Sequence, residues 1–152
     1  SKGTPFMQAG EEMLRSKPTA DGGYDHNSYK SSDEVNNIRW ENLVPGSDEY
    51  EMMLYYAGLA EMRAEYDIFG NAKTAMSFTD IGKDGAMQLV IDNHMGGKAI
   101  VVINPTSAAI SHTLPNGEWK LLATSAQAGA EVLGTESGSV SVDAYSVRIY
   151  VN

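Results

Sequence analysis

Two adjacent carboxylates, Glu11 and Glu12, are the first residues of the chain whose type suits general acid–base work. Neighbours on an extended chain point to opposite sides, so the pair is badly placed to face one bond. A hydrogen-bonding, structural role is the expectation for both. The stretch from Arg15 to Trp40 offers a different chemistry. It sets Tyr24, Tyr29 and Trp40 among Asp25, Asn27, Asp33, Asn36 and Asn37, the mixture that sugar recognition uses: flat apolar rings for sugar faces, amides and carboxylates for hydroxyls. The plainer alternative is a solvated polar loop with a few anchors tucked inward. His26 sits near Asp21, Asp25 and Asn27, but the spacing fits neither a zinc motif nor a calcium loop. No metal site is expected there. His94 and His112 are expected at strand ends or on a sheet surface. The chain has no Cys, which removes disulfides, thiolate catalysis and cysteine-based zinc sites together.

The elements that must carry these residues divide the chain in two. With 152 residues, 42% of them apolar, there is enough chain for one real core and an appendage. A net charge of −9 repels phosphate backbones and anionic lipid surfaces, so neither nucleic acid nor membrane is expected as a partner. No apolar run approaches the roughly 20 residues of a membrane-spanning helix. The start at Ser1-Lys2-Gly3 without an initiator Met suggests a piece cut from something longer. Of the 20 acids and 11 bases, 13 and 6 precede Gly70, so the acidity belongs to the first half. Thr4 to Gly10, a short apolar run ended by Gly, predicts a brief buried strand. From Glu11 to Ser47 no period is sustained, which predicts a long loop. Asp48 to about Tyr66 then reads as an amphipathic helix, with Met52, Tyr55, Leu59, Met62 and Tyr66 at spacings 3, 4, 3, 4 on one face. Asp48, Glu49 and Glu51 suit its positive end, and its apolar face calls for a partner surface outside this chain.

After Asn71 the pattern becomes short β-branched and aromatic runs separated by turn residues. Met76-Thr79, Met87-Ile91, Ala99-Ile103, Ala109-Thr113, Trp119-Thr124, Glu131-Leu133, Val140-Val142 and Tyr145-Val151 are the predicted strands. Asp84-Gly85 and Asn116-Gly117 read as hairpin turns. Trp119 alternates with Leu121 and Ala123, which points its ring inward. An antiparallel β-sandwich or barrel follows.

Gly3-Thr4-Pro5-Phe6-Met7-Gln8-Ala9-Gly10-Glu11-Glu12 resembles the eighth barrel strand of the α-amylase superfamily, glycoside hydrolase family 13. Leu14-Arg15-Ser16-Lys17-Pro18, Asp25-His26-Asn27-Ser28-Tyr29, Ser32-Asp33-Glu34-Val35-Asn36 and Ile38-Arg39-Trp40 resemble, in order, the loop after that strand in type I pullulanases. Val102-Ile103-Asn104 and Leu114-Pro115-Asn116-Gly117-Glu118-Trp119 resemble the C-terminal domain of the same enzymes. The resemblance implies a mainly β fragment: residues 1–70 as the end of a catalytic (β/α)8 barrel, its last strand, loop and helix, and residues 71–152 as a C-terminal antiparallel β-sandwich.

In that family a retaining glycosidase apparatus, with two carboxyl groups roughly 5 Å apart, comes from earlier barrel strands. The segments carrying it are not found in this sequence, so no catalytic residue is assigned and the chain alone is expected to turn over nothing. The parent would hydrolyse α-1,6-glucosidic bonds of pullulan, amylopectin or branched maltodextrin without an organic cofactor; any calcium of the intact enzyme would belong to upstream parts. The resemblance leaves localisation open, favouring bacterial extracellular or cell-surface over cytoplasmic. The resemblance places Asp33 against a glucose on the non-reducing side of the cleaved bond, with Asp25, Asn27, Tyr29 and Asn36 as companions. Where some relatives have Arg at the fourth position after that aspartate, this chain has Asn37. The partners implied are α-glucan and the remainder of its own barrel. The competing reading is a carbohydrate-binding or interaction β-sandwich module. An exposed row of aromatic rings on one face of the sandwich would mark that alternative. Without its barrel, Phe6, Met7, Met13 and Trp40 are expected to lose their cover.

Overall fold

The computed structural model describes residues 3–71, 73–82 and 84–152; the Ser1-Lys2 start lies outside them. By their contacts the residues group into two compact units, Phe6–Tyr56 and Ala57–Asn152, the second including the residues just before Phe6. The second unit is mainly antiparallel β. Its strands are β1 (Ala75–Asp80), β2 (Met87–Asp92), β3 (Lys98–Asn104), β4 (Ile110–Thr113), β5 (Trp119–Ala123), β6 (Gly134–Glu136), β7 (Ser139–Val142) and β8 (Ser146–Val151). Six of them form one sheet in the order β1-β2-β3-β8-β5-β6, and β4 with β7 makes a two-stranded ribbon.

Alternation within the strands explains the layering. In β8, Ile149 and Val151 join Leu89, Ile91 and Ala99 on one face of the sheet. Tyr150 joins Ile100, Val102, Trp119 and Leu121 on the other, where the ribbon supplies Ile110, Val140 and Val142. The ribbon reads Ser-Val-Ser-Val in β7 with the valines buried and the serines exposed. Trp119 is 2% exposed, as its alternation with Leu121 predicts, and its indole N–H donates to Pro115 O at 2.9 Å. Ala123 does not follow that alternation: a bulge between Leu121 and Ala123 puts Leu122 and Ala123 together on the opposite face.

Polar side chains fasten these layers. Asn104, 1% exposed at the end of β3, donates to the carbonyls of Ala108, Val142 and Asp143 at 2.7–3.1 Å and accepts from the N–H and hydroxyl of Thr106. Glu136 on β6 accepts both Arg148 Nη1 contacts, 2.8 and 3.0 Å, and the Tyr150 hydroxyl at 2.7 Å. Burial pushes the Tyr150 hydroxyl up to about 12, so it remains a neutral donor.

Three strand expectations shift. The sixth strand lies at 134–136, not 131–133. The segment 131–133 is held instead by the Leu133 N–H bonding Leu121 O at 2.8 Å. Tyr145 stays outside β8 at φ 49°. Asp84-Gly85 does join paired strands. Asn116-Gly117, however, links β4 of the ribbon to β5 of the sheet, strands that pair elsewhere. An Asn-Gly turn specifies a reversal of direction, and the buried faces on either side decide which strands then pair.

The helices are few. Helix α1 covers Asp33–Asn36 and α2 covers Asp48–Glu65. At the start of α2 the Ser47 hydroxyl accepts the Tyr50 N–H at 3.2 Å, the capping geometry that satisfies an orphan donor. The helix stops one residue short of Tyr66, which turns to extended geometry before a 3-10 turn at Asp67–Phe69. The expectation that its apolar face needs a surface from outside the chain is corrected for its second half. Met62, Ile68 and Phe69 pack into the sheet core, with Leu59 and Tyr66 beside them. The Tyr66 hydroxyl donates to Ala130 O at 3.1 Å. The predicted strand at 4–10 is absent: residues 4–8 have no ladder partner, and Phe6 is 98% exposed. A barrel strand takes its ladder bonds from flanking strands, and the described residues provide none. Met13, expected to be bare, is buried.

At Gly58 the backbone of α2 runs close against the sheet domain. A Cβ there would stand 1.8 Å from Ala128 O, a backbone atom that cannot swing aside. Gly58→Ala gains about 1 kcal/mol of helix propensity but forces overpacking that costs about 1–3 kcal/mol or more. The variant should therefore unfold at lower temperature, measured by thermal melts against wild type; a raised midpoint would show that this contact is loose.

His112 on β4 bonds Gln88 Oε1 on β2 at 2.8 Å across the two layers, and burial holds its imidazole below the ordinary histidine value. The folded state thus binds this proton less well than the unfolded chain. Stability from this group is complete above the unfolded value, about 6.5, and falls as the pH drops through that value toward the folded one. Melts between neutral and mildly acidic pH should show a small decline that His112→Gln removes; an identical decline in the variant would assign it to other groups.

Candidate functional site

In the unit Phe6–Tyr56 the polar loop is built around a buried serine rather than an apolar core. Ser28 is 5% exposed. Its hydroxyl accepts from Lys17 Nζ at 2.7 Å, and its carbonyl accepts from Asn36 Nδ2 at 2.7 Å. The same Asn36 amide donates to Ser31 O at 3.0 Å. Arg15 donates to Ala9 O at 3.0 Å and to Asn36 O. Its Nε is buried with no partner among the described residues. The loop expected to be irregular contains short helical turns at Glu11–Met13, Ser28–Lys30, α1 and Trp40–Asn42, each a place where local hydrogen bonds replace the missing long-range period.

Asp25 anchors the segment before Ser28. Its Oδ1 accepts the Asn27 N–H at 2.8 Å and its Oδ2 accepts the Ser31 hydroxyl, a short-range turn of the kind Asp favours. The Ser31 hydroxyl first, and the Asn27 N–H second, hold the Asp25 carboxyl below the ordinary aspartate value. Upstream, residues 17–25 double back: Asp25 N–H bonds Lys17 O and Thr19 N–H bonds Gly23 O, both at 2.9 Å, around Gly22 at φ 84°.

What this scaffold leaves in solvent is a set of rings and amides. Tyr24 and Tyr29 are 73% and 76% exposed, Trp40 66%; Lys30 Nζ lies 5.4 Å from the centre of the Tyr29 ring. Asn27 and Asp33 are exposed. Asp33 opens α1, and its carboxylate bonds none of the described residues; Arg39, a conceivable partner, donates to Glu34 O at 3.0 Å instead. Among the five residues singled out from sequence, Asp25 and Asn36 are thus the braces, and Asn27, Tyr29 and Asp33 turn their side chains to solvent. Ser28, Ser31, Lys17 and Arg15 belong to the same framework, although their types alone do not distinguish them. The Asp25-Asn27 spacing, an aspartate two residues before the N–H it binds, is the local signal that marks this turn.

Glu11 and Glu12 lie on a 3-10 turn, not an extended chain. Each closes a local loop: Gln8 N–H donates to Glu11 Oε2 at 3.1 Å and Gly10 N–H to Glu12 Oε2 at 3.0 Å. Among the described residues no group of three or more His, Asp or Glu is placed to hold a metal ion. On the sandwich, a 350 Å³ depression is lined by Glu136, Ser137, Ser139, Val140, Ser141 and Arg148. Its charges are spent on each other, and it contains no ring.

The brace at Asp25 can be tested apart from any ligand. Asp25→Asn removes the charge that strengthens both accepted bonds, so the amides of Asn27 and Ser31 should exchange faster while those of β3 and β8 keep their protection. Because the folded carboxyl is held low, acidification through and below the ordinary aspartate value should loosen the wild-type loop in the same way. Hydrogen exchange read by mass spectrometry distinguishes this from unchanged loop protection, which would assign the order to the Asn36 and Lys17 bonds alone.

No protein-family model matches the chain. Solved structures do. A pullulanase from Bacillus acidopullulyticus superposes with a TM-score of 0.82 at 28% identity, over 100% of this chain and 19% of that one. The catalytic module of SpuA, a multi-modular glycogen-degrading pneumococcal virulence factor, matches with a TM-score of 0.79 at 22% identity, over 99% of this chain and 29% of that one. The pullulanase of Anoxybacillus sp. LM18-11, in complex with maltotriose, matches with a TM-score of 0.73 at 21% identity, over 100% and 21%. The chain therefore spans less than a third of each of these structures, and the likeness supports a pullulanase-related piece whose sandwich follows the fold of those enzymes.

Proposed function

We propose that the chain is the C-terminal portion of a starch- and pullulan-debranching glycoside hydrolase of the type I pullulanase kind. In this reading residues 1–70 are the last β/α unit of the catalytic barrel and residues 71–152 the sandwich that buttresses it. The chain itself is non-catalytic, and its loop supplies a glucan subsite to the intact enzyme. The observation that carries the reading is the superposition of the whole of this chain on 19% of the Bacillus acidopullulyticus pullulanase at 28% identity. The Anoxybacillus pullulanase is complexed with maltotriose, which favours α-glucan as the ligand class here.

In the subsite the braces and the contacts have different jobs. Asp25 and Asn36 fix the backbone from Asn27 to Ser31, and Tyr29, Asn27 and Asp33 meet the sugar. Asp33 carries the strongest contact, because a carboxylate that bonds no described residue can accept two glucose hydroxyls without breaking a bond of its own. Preorganisation by the braces lowers the ordering cost of binding.

The alternative, a sandwich that itself holds glycan, is disfavoured by its aromatics. Trp119 and Tyr150 are buried. Among the described residues of the sandwich the exposed rings are Phe78 on β1 and Tyr145 before β8, strands separated by β2 and β3, so no row of neighbouring rings lies on one face.

Asp33→Ala, built into the intact enzyme, should lower kcat/KM on branched substrate by about one to two orders of magnitude, since charge-assisted hydrogen bonds are worth roughly 1.5–3 kcal/mol. Its thermal midpoint should hardly move. Steady-state kinetics and a melt on the same preparation check both halves, and unchanged kcat/KM would remove Asp33 from the subsite.

A further inference from the structure

We propose that Asn116-Gly117 is a self-modifying site, where the backbone nitrogen of Gly117 attacks the Asn116 side-chain amide and converts this crossover to aspartyl and isoaspartyl forms. The reaction needs an asparagine amide as electrophile, an unhindered nitrogen on the next residue and a backbone free to bring them together. All three meet here. Both residues are exposed and lie outside regular structure. Gly117 has φ 125° and open space where a Cβ would stand. Neither the Asn116 amide nor the Gly117 N–H bonds a described residue.

The other asparagines lack one condition or another. The side chains of Asn36, Asn42, Asn71, Asn93, Asn104 and Asn152 are held in hydrogen bonds. Asn27 and Asn37 precede Ser28 and Ile38, whose side chains crowd the attacking nitrogen. Asp84-Gly85 has the glycine but a carboxylate in place of the amide, a poorer electrophile at neutral pH.

The chemistry balances without an added reagent beyond water. The Gly117 nitrogen, having lost its proton, bonds Asn116 Cγ; the Cγ–Nδ2 bond breaks and ammonia leaves, closing a succinimide. Water then opens the ring. Attack at Cγ leaves an ordinary aspartate, and attack at the α-carbonyl leaves an isoaspartate whose main chain runs through the former side chain. Either product adds a negative charge beside Glu118; only the second lengthens the backbone, by one carbon.

That extra carbon falls between two pins. Leu114 N–H bonds Gly138 O at 2.8 Å on one side, and the Trp119 indole bonds Pro115 O at 2.9 Å across the turn, with Leu114 and Trp119 both buried. Only the indole bond spans the modified linkage, so the isoaspartyl form must take up the added carbon between Pro115 and Trp119 or lengthen that bond.

The test is to age the purified chain in mildly alkaline buffer and to follow ammonia release together with peptide mapping by mass spectrometry and isoaspartyl-specific methylation. Modification should localise to Asn116 before any other asparagine, accelerate with pH, and vanish in Asn116→Ser. An amide retained at Asn116 while the denatured chain loses it there would overturn the proposal, as would earlier loss at another site. Comparing melts of the separated isoaspartyl form with those of Asn116→Asp isolates the backbone effect from the charge. A lower midpoint for the isoaspartyl form supports the strained crossover; equal midpoints refute it.

Discussion

The buried amide of Asn104 is the joint on which the β domain closes. At the end of β3 the chain leaves the six-stranded sheet and must return as the ribbon that covers it, and such a corner exposes backbone carbonyls to an apolar interior. Asn104 brings one NH2 group, two donors with one of them shared, within 2.7–3.1 Å of three of them and takes the Thr106 N–H and hydroxyl with its oxygen. Leaving those groups unpaired in a buried site would cost a few kcal/mol. The ribbon's position over Ile100, Val102 and Tyr150 therefore follows from a polar contact, and the apolar packing follows from the ribbon's position.

With the corner fixed, the central strands become two-faced. β3 buries Ala99 and Ile100 on opposite sides, one against Met62 and Phe69, the other against Val140 and Val142. A strand covered on both sides can carry no solvent-facing register, so a slip of one residue exchanges one apolar set for another. Polar marks then have to set the register. Asn104 at one end of β3, and Lys98 with its 3.5 Å pairing to Asp92 at the other, serve as such marks.

The sequence patterns that could be read were those whose cause is local. Short β-branched and aromatic runs bounded by turn residues located seven strands well, whether alternating as in β7 or continuously apolar as in β3. The sixth was displaced by three residues: Glu131 to Leu133 looks like a strand, yet a single bond to Leu121 O satisfies it. Pairing was invisible at Asn116-Gly117, since turn chemistry says nothing about distant partners. The helix was legible from its 3, 4, 3, 4 stripe, but not Gly58, whose need arises only from the distant Ala128 carbonyl. In the loop, Tyr29 and Asp33 are candidates as an exposed ring and an exposed carboxylate, and the weight placed on Asp33 comes from the pullulanase resemblance. The framework around Ser28 could not be read: it has an ordinary loop composition, and its burial comes from Lys17 and Asn36, residues far enough away that no short window joins them.

That loop is ordered by hydrogen bonds and buries few large apolar side chains, Met13 being the exception. Heat capacity tracks the exposure of apolar surface, and polar exposure enters with the opposite sign. Opening the loop therefore carries a small heat-capacity change, while the sandwich, with two apolar faces to uncover, carries most of it. The heat-capacity step of unfolding then reports mainly on the sandwich, and opening of the loop is read instead as lost amide protection.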